Sequence, residues 1–158
     1  RRLLALPIKA EELLSRRRSL QSPADLFEEK VMTTSDSYTA GEKTRRAVLG
    51  DKRVDETMKD PEDFARPLME ITTEFAWGQI WTREGIDRRT RSFMNLAMLS
   101  ALNRPHELAV HIRGALNNGV TREEIQEVFL HVLAYCGAPA AIDSTRIAKQ
   151  VFAEIDAE

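Results

Sequence analysis

Between residues 83 and 141 the chain gathers Arg, Glu and His onto helical patterns that also carry apolar faces. Arg104, Glu107 and His111 stand at spacing i, i+3, i+7, so a continuous helix would stack all three on one stripe beside Leu108, Ile112 and Ala115. A guanidinium grips a carboxylate through two charge-assisted bonds. An imidazole exchanges a proton near neutrality, and a neighbouring carboxylate can orient it. These three side chains suit acid–base work on a small anion. A further stripe, Glu124, Glu127, His131 and Tyr135, lies one helix on. Its bland alternative is a solvated face on which Glu127 and His131 form a local pair worth a few tenths of a kcal/mol.

The elements that must position these groups have clear boundaries. Pro105 suits the first turn of a helix, Gly119 the left-handed position just past its end, and Thr121 to Glu124 reads T-x-x-E, a capping box. These signals predict a helical hairpin whose second helix buries Ile125, Val128, Phe129 and Val132. Gly137-Ala138-Pro139 then ends that helix and opens the last one, with Ala140, Ile142, Ile147, Val151, Phe152 and Ile155 on its apolar side. Upstream, a helix is expected over 39–49, stopping at Gly50. Asp60-Pro61 should open another, in which Phe64, Leu68, Ile71 and Phe75 recur at helical spacing up to Gly78. Trp77 and Trp81 read as core or interface anchors, residues 82–86 as a loop, and Asp87 as the next cap. No apolar/polar alternation of strand type emerges. The expected fold is all-α, a compact multi-helix bundle built around a central hairpin.

Composition narrows the function. At 158 residues the chain is about one domain long. A formal net charge of −2, with 30% charged residues of both signs, gives no broad basic field, so nucleic acid is not an expected partner. No apolar run approaches the roughly 18 residues of a membrane span, and no signal-peptide pattern is seen, so a cytoplasmic setting is expected and a membrane is not. Cys136 is the only cysteine, which leaves no pair for a disulfide or for dithiol chemistry. Residues 1–36 differ in character, with Leu-rich runs, Arg16-Arg17-Arg18 and a break at Pro23. They are read as an arm or extension before a domain spanning 37–158.

Several segments together resemble the carboxymuconolactone decarboxylase family of the alkylhydroperoxidase D-like superfamily. They are residues 41–51 (GEKTRRAVLGD), 75–81 (FAWGQIW), 87–92 (DRRTRS), 101–104 (ALNR), 111–125 (HIRGALNNGVTREEI) and 135–141 (YCGAPAA). The resemblance runs from about Ser37 to the end of the chain. It implies a helical fold, a homo-oligomer in the form of a hexameric ring, and decarboxylation of γ-carboxymuconolactone to β-ketoadipate enol-lactone in protocatechuate breakdown. The superfamily's redox branch carries C-x-x-C-x-x-x-H. Here its cysteine positions fall on Arg104 and Glu107, with His111 matching the histidine, and a glutamate that assists the thiol falls on Ser92. Those departures argue against the peroxidase or thiol-oxidoreductase alternative. A non-catalytic oligomeric binding protein is the other alternative.

The substrate so implied is a small dicarboxylate lactone that acts as its own electron sink, so neither cofactor nor metal is expected. The protein must grip the carboxylate that stays, stabilise charge on the lactone oxygen and deliver a proton to carbon. Arg45, Arg91, Arg104 and Tyr135 are the candidates for binding, with Arg46, Arg88 and Arg89 ranked below. His111 is the leading catalytic candidate, as proton donor or oxyanion partner, with Glu107 to orient it and Glu127 and His131 as further candidates. Each has a structural alternative: a satisfied core histidine, surface ion pairs, a packing tyrosine.

Overall fold

A computed structural model describes residues 34–59 and 64–158. The predicted arm lies almost wholly outside the described residues, as does the predicted Asp60-Pro61-Glu62 cap. Helix α1 (Thr34–Leu49) begins before residue 39, so the expected 36/37 boundary falls inside its first turn. After Gly50, held at φ 85°, comes a short helix α2 (Asp51–Met58) that the apolar pattern did not announce. Then follow α3 (Arg66–Thr72), a π-helix (Thr73–Ile80), α4 (Arg88–Ala101), α5 (Pro105–Asn117), α6 (Arg122–Cys136) and α7 (Ala138–Asp156). The described residues contain no strand, and the fold is an all-α bundle.

Local chemistry explains most of the boundaries. The Asp87 carboxylate accepts the Thr90 amide at 2.6 Å and caps α4. Pro105 occupies the first turn of α5, and Gly119 at φ 81° turns the chain out of it. Thr121 and Glu124 form the reciprocal capping box that opens α6. The main core joins α4 to α7 around Leu96, Leu108, Ile112, Ile125, Phe129 and Val151.

The π-helix packs on α1 more extensively than any other pair of elements pack. Two glycines allow that approach. A Cβ on Gly41 would stand 2.1 Å from the Thr73 carbonyl oxygen, and one on Gly78 would stand 2.0 Å from that of Ser37. Backbone therefore lies on backbone, and Val48, Trp77 and Trp81 form a second, smaller core beside the contact.

The stretch expected as one helix up to Gly78 is thus two elements of different pitch. Trp81 donates its amide to the Ala76 carbonyl five residues back, at 3.0 Å, so the turns here are wider than those of an α-helix. Phe64, Leu68, Ile71 and Phe75 do share a face, but it is outward, with exposures between 56% and 89%.

Candidate functional site

His111 sits on α5 with one face turned toward the end of the π-helix. Its imidazole lies 6.2 Å from the Trp77 ring and 6.4 Å from the Trp81 ring, with planes 7° and 22° from parallel. The two indoles stack on each other at 4.8 Å. The wide turns of the π-helix bring residues four apart onto nearly one line, which lets both indoles address the same neighbour. At the ring's edge, the Asn95 side-chain amide of α4 meets His111 Nδ1 at 3.3 Å. Burial pushes the imidazole below its ordinary pKa, and the Glu107 carboxylate one turn earlier works against that shift. Glu107 itself is exposed.

The three candidate arginines occupy three different settings. Arg45, on α1, is only 5% exposed. Its guanidinium donates to the Thr73 hydroxyl at 3.2 Å and the Thr57 hydroxyl at 3.0 Å, while Nε is buried without a partner among the described residues. Burial lowers its pKa; Tyr38 and, more weakly, Glu42 oppose that shift, whereas the positive charges of Arg53 and Arg46 add to it. Arg91, on α4 and 8% exposed, donates to the Arg83 carbonyl at 3.0 Å, and its Nε too is buried and unpartnered. It stands one turn before Asn95, on the same side of α4.

Arg104 departs from the expected stripe. It is the residue before Pro105, with φ −111° and ψ 74°, and therefore caps α5 instead of belonging to it. The preceding residue's preference for extended backbone before a proline accounts for this. Arg104 is exposed, and only Glu107 and His111 keep helical spacing.

Glu127, His131 and Tyr135 lie elsewhere, on the outer side of α6. Glu127 and His131 line an open hollow of about 540 Å³ with Phe93, Met94, Ala97 and Val128. His131 also borders a second hollow, of about 330 Å³, with Tyr135 and Cys136. The His131 and Tyr135 rings meet at 4.6 Å, tilted by 45°, and Tyr135 is 78% exposed. These residues are brought together with one another and not with His111. A third hollow, of about 600 Å³, opens between α2, α5 and α7. His111 and Arg104 line none of the three.

The lower-ranked arginines have evident local roles. Arg46 is tied to Glu42, Asp51 and Asp55, and Arg89 to Glu124 while lying over the Phe93 ring. Among the described residues no three His, Cys, Asp or Glu side chains are grouped to hold a metal ion. Sequence reasoning missed Asn95, Thr73 and Thr57, and read the tryptophans only as anchors. A polar residue one turn after Arg91 was the sole available signal for Asn95.

Residues 66–150 match the sequence profile of the Carboxymuconolactone decarboxylase family. The chain is also 38% identical over 124 residues to the 4-carboxymuconolactone decarboxylase of Acinetobacter baylyi, a span covering 78% of this chain and 92% of that protein. The chain belongs to the carboxymuconolactone decarboxylase family. Another member, the nitrosuccinic acid decarboxylase of Metarhizium robertsii, is 42% identical over 107 residues, 68% of this chain and 75% of its own. An uncharacterized 15.0 kDa protein of Paracoccus denitrificans is 34% identical over 88 residues, 54% of this chain and 65% of its own. In this member of the carboxymuconolactone decarboxylase family, the lone Cys136 is exposed at the end of α6.

Proposed function

We propose that this chain is a cofactor-independent carboxy-lyase that converts γ-carboxymuconolactone to β-ketoadipate enol-lactone and carbon dioxide. The observation that carries the reading is the 38% identity to a 4-carboxymuconolactone decarboxylase across nearly all of that protein. The geometry around His111 is compatible with it. As carbon dioxide leaves, electrons flow through the C=C bond into the lactone carbonyl, so the substrate holds its own charge until carbon is protonated. His111 answers the growing negative charge on the lactone oxygen, and Glu107 tunes it. Arg45 and Arg91 supply positive charge for the retained carboxylate, since neither has a carboxylate partner among the described residues. Arg104 and Glu107 stand at the exposed rim.

We further infer a cytoplasmic homo-oligomer, with a ring of six as the family resemblance implies. The outward apolar stripe on α3 and the π-helix leads directly to Trp77 and supports closure of the site by a second subunit. Among the described residues no helix is long and apolar enough to cross a membrane.

A second substrate has its own support in the 42% identity to nitrosuccinic acid decarboxylase. Nitrosuccinate is likewise a dicarboxylate, with a nitro group placed to accept the electrons that carbon dioxide leaves behind. The demand on the protein is the same: anchor one carboxylate and meet charge on oxygen.

Purified protein treated with chelator should consume the lactone with stoichiometric release of carbon dioxide, and faster than it consumes nitrosuccinate. His111→Ala should lower turnover by two or more orders of magnitude, the usual worth of a positioned acid or base, while Cys136→Ser keeps most of it. Absence of turnover on the lactone would reject the assignment, and the reverse ranking of the two variants would point to thiol chemistry.

A further inference from the structure

We propose that Asn95 is a positioning residue that fixes the tautomer of His111, presenting the imidazole to the substrate as a neutral Nε2–H donor. The amide nitrogen of Asn95 lies 3.3 Å from Nδ1. An amide NH₂ has only protons to offer, so Nδ1 must contribute its lone pair and the ring proton must sit on Nε2. The two nearly parallel indoles hold the ring's faces, leaving rotation about its long axis blocked. One nitrogen is thus committed to α4, and only the other remains for chemistry.

The consequence reaches the reaction. A neutral imidazole that gave up its Nε2 proton would become an anion, which is far too costly near neutral pH. It instead acts as an electrophile, its N–H stabilising the lactone oxygen as charge develops there. The proton that finally reaches carbon then comes from another donor. This part rests on the proposed decarboxylation; the tautomer itself does not.

The test therefore reads the imidazole directly. The protein has three histidines, and His106→Gln and His131→Gln variants assign the His111 resonances in long-range ¹H–¹⁵N spectra of uniformly labelled protein. At pH 8 without substrate, Nδ1 should show a pyridine-type shift and Nε2 a pyrrole-type shift. Asn95→Leu, which removes the donor, should give a mixture of tautomers. Asn95→Asp, of the same shape, should place the proton on Nδ1. Turnover should fall by roughly tenfold or more in Asn95→Leu with KM little changed, the scale on which losing an orienting partner acts on an imidazole ligand. A wild-type spectrum with the proton on Nδ1 would overturn the proposal, as would an Asn95→Leu spectrum identical to wild type. If Asn95→Leu fails to fold, the wild-type and Asn95→Asp spectra decide. Failure to decarboxylate any substrate leaves these shifts readable, so the two ideas fall separately.

Discussion

Trp77 and His111 lie with ring planes 7° apart, an indole of the π-helix facing an imidazole of α5. The contact takes water away from one face of a group that would need it when charged. His111 is accordingly held below its usual pKa of 6.5, by burial first, with Glu107 opposing. The unfolded chain then binds the proton more readily than the native one. Stability should be full above about pH 6.5, decline as pH falls through that value, and level off below the native pKa. Urea unfolding between pH 8 and 5 should show this decline, and His111→Phe should reduce it. An unchanged profile in that variant would remove His111 as the cause.

Arg45 offers a contrast between binding and stability. Its buried charge is met by two hydroxyls and no carboxylate, an arrangement that costs the folded state more than it returns. Thr57 keeps its bonds to the Arg53 and Val54 carbonyls when the guanidinium goes. Arg45→Met should therefore leave the melting temperature equal or higher. If the cation holds a substrate carboxylate, KM should rise by roughly tenfold to a hundredfold, as for loss of a charged hydrogen bond. A drop in melting temperature with unchanged KM would make the arginine purely structural.

Gly78 tests the closeness of α1 and the π-helix. An added methyl would meet the Ser37 carbonyl, which is backbone and cannot swing aside. Gly78→Ala should cost about 1–3 kcal/mol or more in chemical denaturation. Since Trp77 is the next residue, activity should fall further than stability alone explains.

The outward stripe predicts association. Four large apolar groups on one face form a patch that a monomer would not keep in water. Leu68→Lys with Ile71→Lys should give a smaller particle by sedimentation, with helical content retained. An unchanged particle size would move the interface elsewhere, for example to Met94, Met98 and Leu133.

Where sequence signals are local, they were readable. The Asp87 cap, Pro105, Gly119 and the Thr121 box each act within one turn, and each stands where spacing put it. The all-α class followed from them. The long-range arrangement was not readable in the same way. Arg104 was assigned to a stripe that Pro105 interrupts, although the same proline had been recognised as a helix start. The π-helix escaped because Phe64 to Phe75 fits a 3.6-residue period, while what widens the next turn is packing of Gly78 on Ser37, 41 residues back in the chain. Asn95 carried no signal of its own, since its partner lies on another helix.

The wide turn between Thr73 and Ile80 also makes this stretch sensitive to length. Excising a single residue there would restore ordinary pitch and rotate everything downstream by about 100°. Trp81 would then swing away from the imidazole even though every remaining amino acid were unaltered. Tolerance to insertions and deletions should accordingly be high at 82–86 and vanish just upstream, a boundary that a one-residue deletion scan would map.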